Sequence, residues 1–171
     1  MSFKKDLKIG EIGENISLKL FEDNESISQV IDVRQDKKYQ KWDIDFILKT
    51  SDNKTIKIEV KTDSKTRYTG NIAYETYSNK KYNTIGCFEK TRANYILYYV
   101  LNTNILYVID IKKFKLRVYS HRLGELKEVP IGDYAMGYLF PVEELEQYDF
   151  MKRYELPFKI IDRKKELNES N

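Results

Sequence analysis

Two short runs alternate apolar and polar residues on either side of a turn, and one pairing alone gives them a common buried face. In Thr55 to Lys61, Ile56, Ile58 and Val60 point one way while Lys57, Glu59 and Lys61 point the other. In Asp43 to Lys49, Ile44, Phe46 and Leu48 share one face, and Asp43, Asp45 and Lys49 share the opposite one. An antiparallel pair joins the apolar faces when Phe46 sits opposite Ile58 and Leu48 opposite Ile56. That register leaves the loop Ser51-Asp52-Asn53, with Asn53 suited to the left-handed position. It also sets Asp45 across from Glu59 and Asp43 across from Lys61. Apolar patterning thus gathers two aspartates, a glutamate and a lysine on one face. The bland meaning of such a face is a solvated one. Against that, Asp is disfavoured in strands, and carboxylates within cross-strand reach repel unless a cation sits among them. Hard oxygen ligands so arranged suit Mg²⁺ or Mn²⁺.

Asp6 to Phe21 reads as a helix. Its small-residue stripe, Gly10, Gly13 and Ser17, is flanked by Ile9, Ile12, Ile16 and Leu20 on one side and by Leu7, Leu18 and Phe21 on the other. Gly inside a helix costs about 1 kcal/mol, so two glycines three apart predict a close approach to the helix backbone. Glu14 falls inside the buried arc, where a carboxylate must be paired or metal-bound. Glu11 lies at the border with solvent and reads as an ordinary helix acid.

The rest of the chain alternates elements. Ile27 to Val33 reads as a short strand and Arg34 to Lys41 as a loop. Asn71 to Thr76 is a weaker strand, and Ile85 to Arg92 one or two helical turns. Tyr95 to Leu101 and Ile105 to Ile109 are strands, and Asp110 caps a helix of about ten residues. Leu139 to Leu145 leads into a short helix. The expected fold is α/β, a single domain over 1–157 with a mixed central β-sheet flanked by helices. A charged tail over 158–171 is expected to be a frayed helix or disordered.

With 171 residues, 41% of them in the hydrophobic set, the chain has enough apolar material for one core. No stretch reaches the roughly 20 apolar residues of a membrane helix, and no apolar run follows the first residues, so neither membrane nor signal peptide is expected. Lone Cys87 rules out an internal disulfide and fits a reducing cytoplasm; with lone His121, read as a surface residue, it excludes a Cys/His zinc site from one chain. A net charge of +3 permits a nucleic-acid partner without arguing for one.

Gly-Glu-Ile-Gly-Glu on the first helix, Trp42-Asp43-Ile44-Asp45-Phe46 on a strand and then Ile58-Glu59-Val60-Lys61-Thr62-Asp63 resemble the PD-(D/E)XK nuclease superfamily, in particular its small phage and bacterial members related to Holliday junction resolvases. Thr69-Gly70-Asn71-Ile72-Ala73-Tyr74-Glu75 and Thr91-Arg92-Ala93-Asn94-Tyr95 are similar to later segments of such proteins, with Asn94 where an aspartate is more usual and Trp42 where the family name has proline. The resemblance covers roughly residues 6 to 145. It implies a restriction-endonuclease-like core and a metal-dependent DNA endonuclease, including a structure-selective one, acting as a homodimer in the cytoplasm.

By that resemblance Glu14, Asp43, Asp45, Glu59 and Lys61 are catalytic. Asp43, Asp45, Glu59 and the Val60 carbonyl would hold Mg²⁺, with Mn²⁺ able to substitute. The motif favours Asp43 as the upstream ligand and the hairpin register favours Asp45; both stay open. Glu75 is either a supporting acid or a strand-edge surface residue. Lys65, Arg67, Tyr68 and Asn71 grip phosphates or form a solvated basic loop. Tyr95, Tyr98 and Tyr99 read as core rather than as a base-stacking platform. The alternative function is a nucleic-acid-binding or phage–host interaction protein that keeps the fold without catalysis. A third is a carboxylate-rich binding domain with no nucleic acid.

Overall fold

The computed structural model describes residues 3–120, 123 and 126–156; His121 and the 158–171 tail lie outside them. The chain runs α1 (Phe3–Glu22), β1 (Ile27–Asp32), α2 (Lys37–Gln40), β2 (Phe46–Thr50), β3 (Thr55–Asp63), α3 (Thr66–Thr69) and β4 (Asn71–Asn79). A 3₁₀ turn over Lys80–Tyr82 leads to β5 (Thr84–Ile85), α4 (Cys87–Lys90), β6 (Tyr95–Val100), β7 (Ile105–Asp110) and α5 (Ile111–Tyr119). Then follow β8 (Val129–Pro130), β9 (Met136–Pro141), α6 (Val142–Leu145) and β10 (Met151–Glu155).

The β2–β3 hairpin forms in the register its apolar residues demand, with Phe46 opposite Ile58 and Leu48 opposite Ile56. Asn53 takes the left-handed conformation at φ 63° and closes the turn. The hairpin sits inside a six-stranded sheet of order β1-β2-β3-β6-β7-β10, antiparallel throughout except for the parallel pair β3–β6. This is the mixed central sheet of the α/β class the sequence pattern leads to. Asn94 steadies the start of the parallel pair: its Oδ1 accepts from the Lys57 N–H and its own N–H donates to the Lys57 carbonyl, both at 2.8 Å.

Alternation on β3 and β6 divides the core in two. Ile58, Val60, Leu97 and Tyr99 pack with Ile16 and Phe21 of α1. Ile96, Tyr98 and Val100 pack on the other side with Phe88 of α4, Phe114 and Val118 of α5, and Ile72, Tyr74 and Phe140. The close approach expected of the helix glycines is found at Gly13, where a Cβ would fall inside the Thr62 hydroxyl, so α1 crosses β3 there backbone to side chain; a Cβ on Gly10 would meet only the Glu14 carboxylate, at 3.9 Å. Asp110 caps α5 as expected, its carboxylate accepting from Lys113 N–H at 3.0 Å, a contact worth about 1 kcal/mol. Tyr98 and Tyr99 are buried core residues.

Five features depart from the sequence pattern. A second, antiparallel sheet of order β5-β4-β9-β8 covers part of the main one, and β4 is its nine-residue centre rather than a weak strand. Strand β10 extends the main sheet past β7. A helical turn, α2, capped by Asp36, occupies the stretch read as loop. Strand β2 starts at Phe46, so Asp43 lies in a preceding turn, not in a strand opposite Lys61. Leu7, placed in the buried arc of α1, is 53% exposed.

Candidate functional site

Strand β3 supplies the centre. Because side chains alternate, Glu59 and Lys61 share the face that looks away from α1, with Lys61 Nζ 3.9 Å from Glu59 Oε1. Glu59 is only 6% exposed, and its Oε2 is buried without a hydrogen-bond partner. Its other oxygen accepts from the Cys87 thiol, at 3.4 Å. Burial, followed by the neighbouring Asp45 charge, raises the Glu59 carboxyl well above its ordinary value despite Lys61.

Asp45 joins from the start of β2. Its backbone N–H donates to the Ile58 carbonyl, and its Oδ2 accepts from the Val60 N–H at 2.7 Å. A carboxylate here stands in for the backbone acceptor a continuing strand would offer. Burial pushes the Asp45 carboxyl up to about 6, against the Val60 N–H, and the charge of Glu14 adds to the rise. Two carboxyls are therefore held together where ionising both is unfavourable, the situation a cation relieves.

Asp43 reaches the same region by a strained turn. Its φ is 45°, left-handed, and its carbonyl accepts from the Thr91 hydroxyl at 2.8 Å. Its Oδ1 is bound by Lys90 Nζ at 2.7 Å. Glu14 is half-buried rather than sealed in the core, and Arg34 pairs with it at 3.0 Å. Arg34 also grips Asp32 and lies over the Phe46 ring, 5.0 Å from its centroid. Those hydrogen bonds, to Asp32 first and then Glu14, raise the guanidinium further above its ordinary value.

Lys61 keeps 36% of its side chain open. Burial opposes its charge, but the carboxylates around it, Glu59, Glu75 and Asp43, outweigh it and hold the ammonium above its ordinary value. Glu75, on β4, faces this group and accepts from the Cys87 backbone N–H at 3.0 Å. Gly86 makes that possible, since a Cβ there would collide with the Glu75 backbone. Burial pushes the Cys87 thiol well up, so it is a neutral donor to Glu59.

The structure thus brings Asp45, Glu59 and Lys61 together, with Asp43, Glu14 and Glu75 around them. Sequence reasoning missed Cys87, Lys90 and Arg34. Arg34 had a signal, a cation at the end of a strand with an unpaired helix acid to satisfy; Cys87 and Lys90 had none. Lys65, Arg67, Tyr68 and Asn71 lie past the C-terminal end of β3, in and around α3. There the Asp63 carboxylate accepts from the N–H groups of Lys65 and Thr66 and fixes the turn toward β4. Lys65 Nζ donates to the Ile131 carbonyl at 2.7 Å.

Among the described residues no three His, Cys, Asp or Glu side chains converge tightly enough to cage a metal by themselves. Mg²⁺ does not need such a cage, because it binds through one or two carboxylates, several waters and substrate phosphate. Asp45 with the unpartnered oxygen of Glu59 fits that requirement. A groove of about 710 Å³ lies elsewhere, on the α1 side among Phe21, Leu48, Ile58, Leu97 and Leu156, and contains none of these carboxylates.

No protein-family model matches the chain, and no curated protein matches it. Among solved structures it is similar to a bacterial homing endonuclease, I-Ssp6803I, with 14% identity over 95% of this chain and 84% of that one, at a TM-score of 0.42. A likeness at that score carries no functional argument; the side-chain geometry does. No helix among the described residues is long and apolar enough to cross a membrane.

Proposed function

We propose that this chain is a Mg²⁺-dependent DNA endonuclease that hydrolyses phosphodiester bonds, as its resemblance to the PD-(D/E)XK nucleases implies. The observation that carries the reading is the buried, partnerless oxygen of Glu59, beside Asp45 and two residues from Lys61. A buried polar atom without a partner is rare in a native fold and calls for a ligand.

Asp45, Glu59 and the Val60 carbonyl would hold the ion, with Mn²⁺ able to replace Mg²⁺. When bound, the ion supplies Lewis acidity that polarises the phosphodiester, acidifies the attacking water and steadies the leaving oxygen. Lys61, partly open and charged, orients that water and offsets charge that builds on the phosphoryl oxygens. Cys87 fixes one oxygen of Glu59 and so turns the other toward the ion. Glu14 approaches Asp45 from α1 and completes the acidic rim under the control of Arg34. Asp43, held by Lys90, is the lesser of the two upstream candidates. Lys65, Arg67, Tyr68 and Asn71 contact the DNA backbone beyond the end of β3.

A second reading, a nucleic-acid-binding protein on the same fold without catalysis, draws on the capture of Asp43 by Lys90 and of Glu14 by Arg34, which leaves two carboxylates for the ion. Purified protein incubated with supercoiled, linear, branched and single-stranded DNA in Mg²⁺, Mn²⁺ or EDTA separates the two. Metal-dependent cutting lost in Lys61→Ala supports the nuclease. Binding without cutting in any metal supports the second reading.

A further inference from the structure

Residues 64–86 contain four basic side chains, Lys65, Arg67, Lys80 and Lys81, and one acidic side chain, Glu75. Their excess of three equals the net charge of the whole chain, +3, so everything outside this stretch is balanced. The stretch is α3, β4, the 3₁₀ turn and β5. It folds so that the positive charge collects at the two ends of β4, with Glu75 between them.

The two ends are built alike. At the first, Arg67 lies over the Tyr68 ring at 4.2 Å, and Tyr68 is 75% exposed. At the second, Lys81 lies over the Tyr82 ring at 5.5 Å, and Tyr82 is 71% exposed. Neither Arg67 nor Lys81 has an acidic partner among the described residues, whereas Lys65 is tied to the Ile131 carbonyl and Lys80 to Glu128. The far turn is held firmly: Asn79 caps it through the Tyr82 N–H, Asn83 closes it in the left-handed conformation, and Lys80 N–H donates to the Tyr134 carbonyl. Between the ends, Ile72, Tyr74 and Thr76 are buried, while Asn71, Ala73, Glu75 and Tyr77 are half-buried beside the exposed Leu139, and a bulge against β9 falls between Glu75 and Tyr77.

From this arrangement we infer that the outward face of β4 is a track for double-stranded nucleic acid, gripped at one end by Arg67 and Tyr68 and at the other by Lys81 and Tyr82. The track names how a duplex lies across the proposed nuclease site and rests on that reading for its substrate. Its binding arm stands without catalysis. The eight steps from Asn71 to Asn79, at about 3.3 Å each, separate the ends by roughly 26 Å. At about 3.4 Å per phosphate along a strand, that is close to eight base pairs. Backbone contact fits the residues present, because Lys and Arg ends with exposed aromatics position a duplex without reading its sequence.

Fluorescence anisotropy in EDTA, with a labelled duplex of about 20 base pairs at several salt concentrations, tests this. Arg67→Ala and Lys81→Ala are each expected to lower the slope of log affinity against log salt by about one, and together to weaken binding about tenfold or more. Arg67→Lys with Lys81→Arg keeps the charge and restores binding. A duplex of about five base pairs cannot span the ends, so on it Lys81→Ala and Arg67→Ala combined do no more than the stronger single variant. Unchanged binding in Lys81→Ala, or an equal loss in the distant exposed Lys152→Ala, overturns the track. Cutting in Mg²⁺ with Lys81-independent binding removes the track and leaves the nuclease. Lys81-dependent binding with no cutting removes the nuclease and leaves the track.

Discussion

Toward α1, strand β3 presents Ile58 and Val60, both buried among Ile16, Phe21, Leu97 and Tyr99. Toward β4, the same strand presents Glu59, just as buried but with one oxygen lacking any partner. The first face is closed by packing and is complete as it stands. The second is arranged around charge, with Asp45 and Glu59 both raised above ordinary carboxyl values and Lys61 among them. One strand therefore carries a surface optimised for stability and, one residue out of phase, a surface that costs stability and forms the proposed site. Changes on the apolar face should lower stability and spare activity, whereas changes on the charged face should lower activity without lowering stability.

The largest effect belongs to the charged face. Glu59→Gln and Lys61→Ala should each reduce Mg²⁺-dependent cutting by about 10²–10⁴-fold. Glu59→Gln should at the same time raise the urea midpoint at pH 8 without metal, because it removes a buried charge. Loss of both cutting and stability would place Glu59 on the packing side of the comparison. On the apolar face Leu97→Ala should cost about 2–5 kcal/mol in urea unfolding, with cutting per folded molecule little changed.

The pH response sharpens the same contrast. The Asp45 carboxyl is harder to ionise in the fold than in the unfolded chain, so its contribution is present below about pH 4 and is lost as pH rises through about 6. The shift corresponds to about 3 kcal/mol by pH 8. In EDTA, stability should fall over that window in the wild type and stay flatter in Asp45→Asn. Identical pH profiles of unfolding would break the claim. The smallest effect is at the hairpin turn, where Asn53→Ala in the left-handed conformation should cost about 1 kcal/mol and Asn53→Gly almost nothing.

What could be read in the sequence follows the same division. Apolar alternation gave the hairpin register, its Asn53 turn and the common face of Asp45, Glu59 and Lys61, since a slip by one residue would expose Phe46 and Leu48. Of the two helix glycines, Gly13 marked the crossing with β3 and Gly10 did not. Partners set by long-range folding left no local trace. Cys87 meets Glu59, Lys90 meets Asp43 and Arg34 meets Glu14 across gaps no period spans. Asp43 was misread because alternation carries on through Trp42-Asp43-Ile44 while the backbone turns left-handed. Strand β10 escaped because Lys152, Arg153 and Glu155 make it the charged edge that an outer strand needs. The second sheet escaped because β5 and β8 are two residues each and show no pattern.

The central claim is that the charged face of β3 is a cation site. Calorimetric titration of the protein with Mn²⁺ at pH 6, in two buffers of different ionisation enthalpy, tests it most directly. The account predicts binding that releases protons from the Asp45–Glu59 pair and that disappears in Glu59→Gln. Binding unchanged in Glu59→Gln, or no binding by the folded wild type, would contradict it.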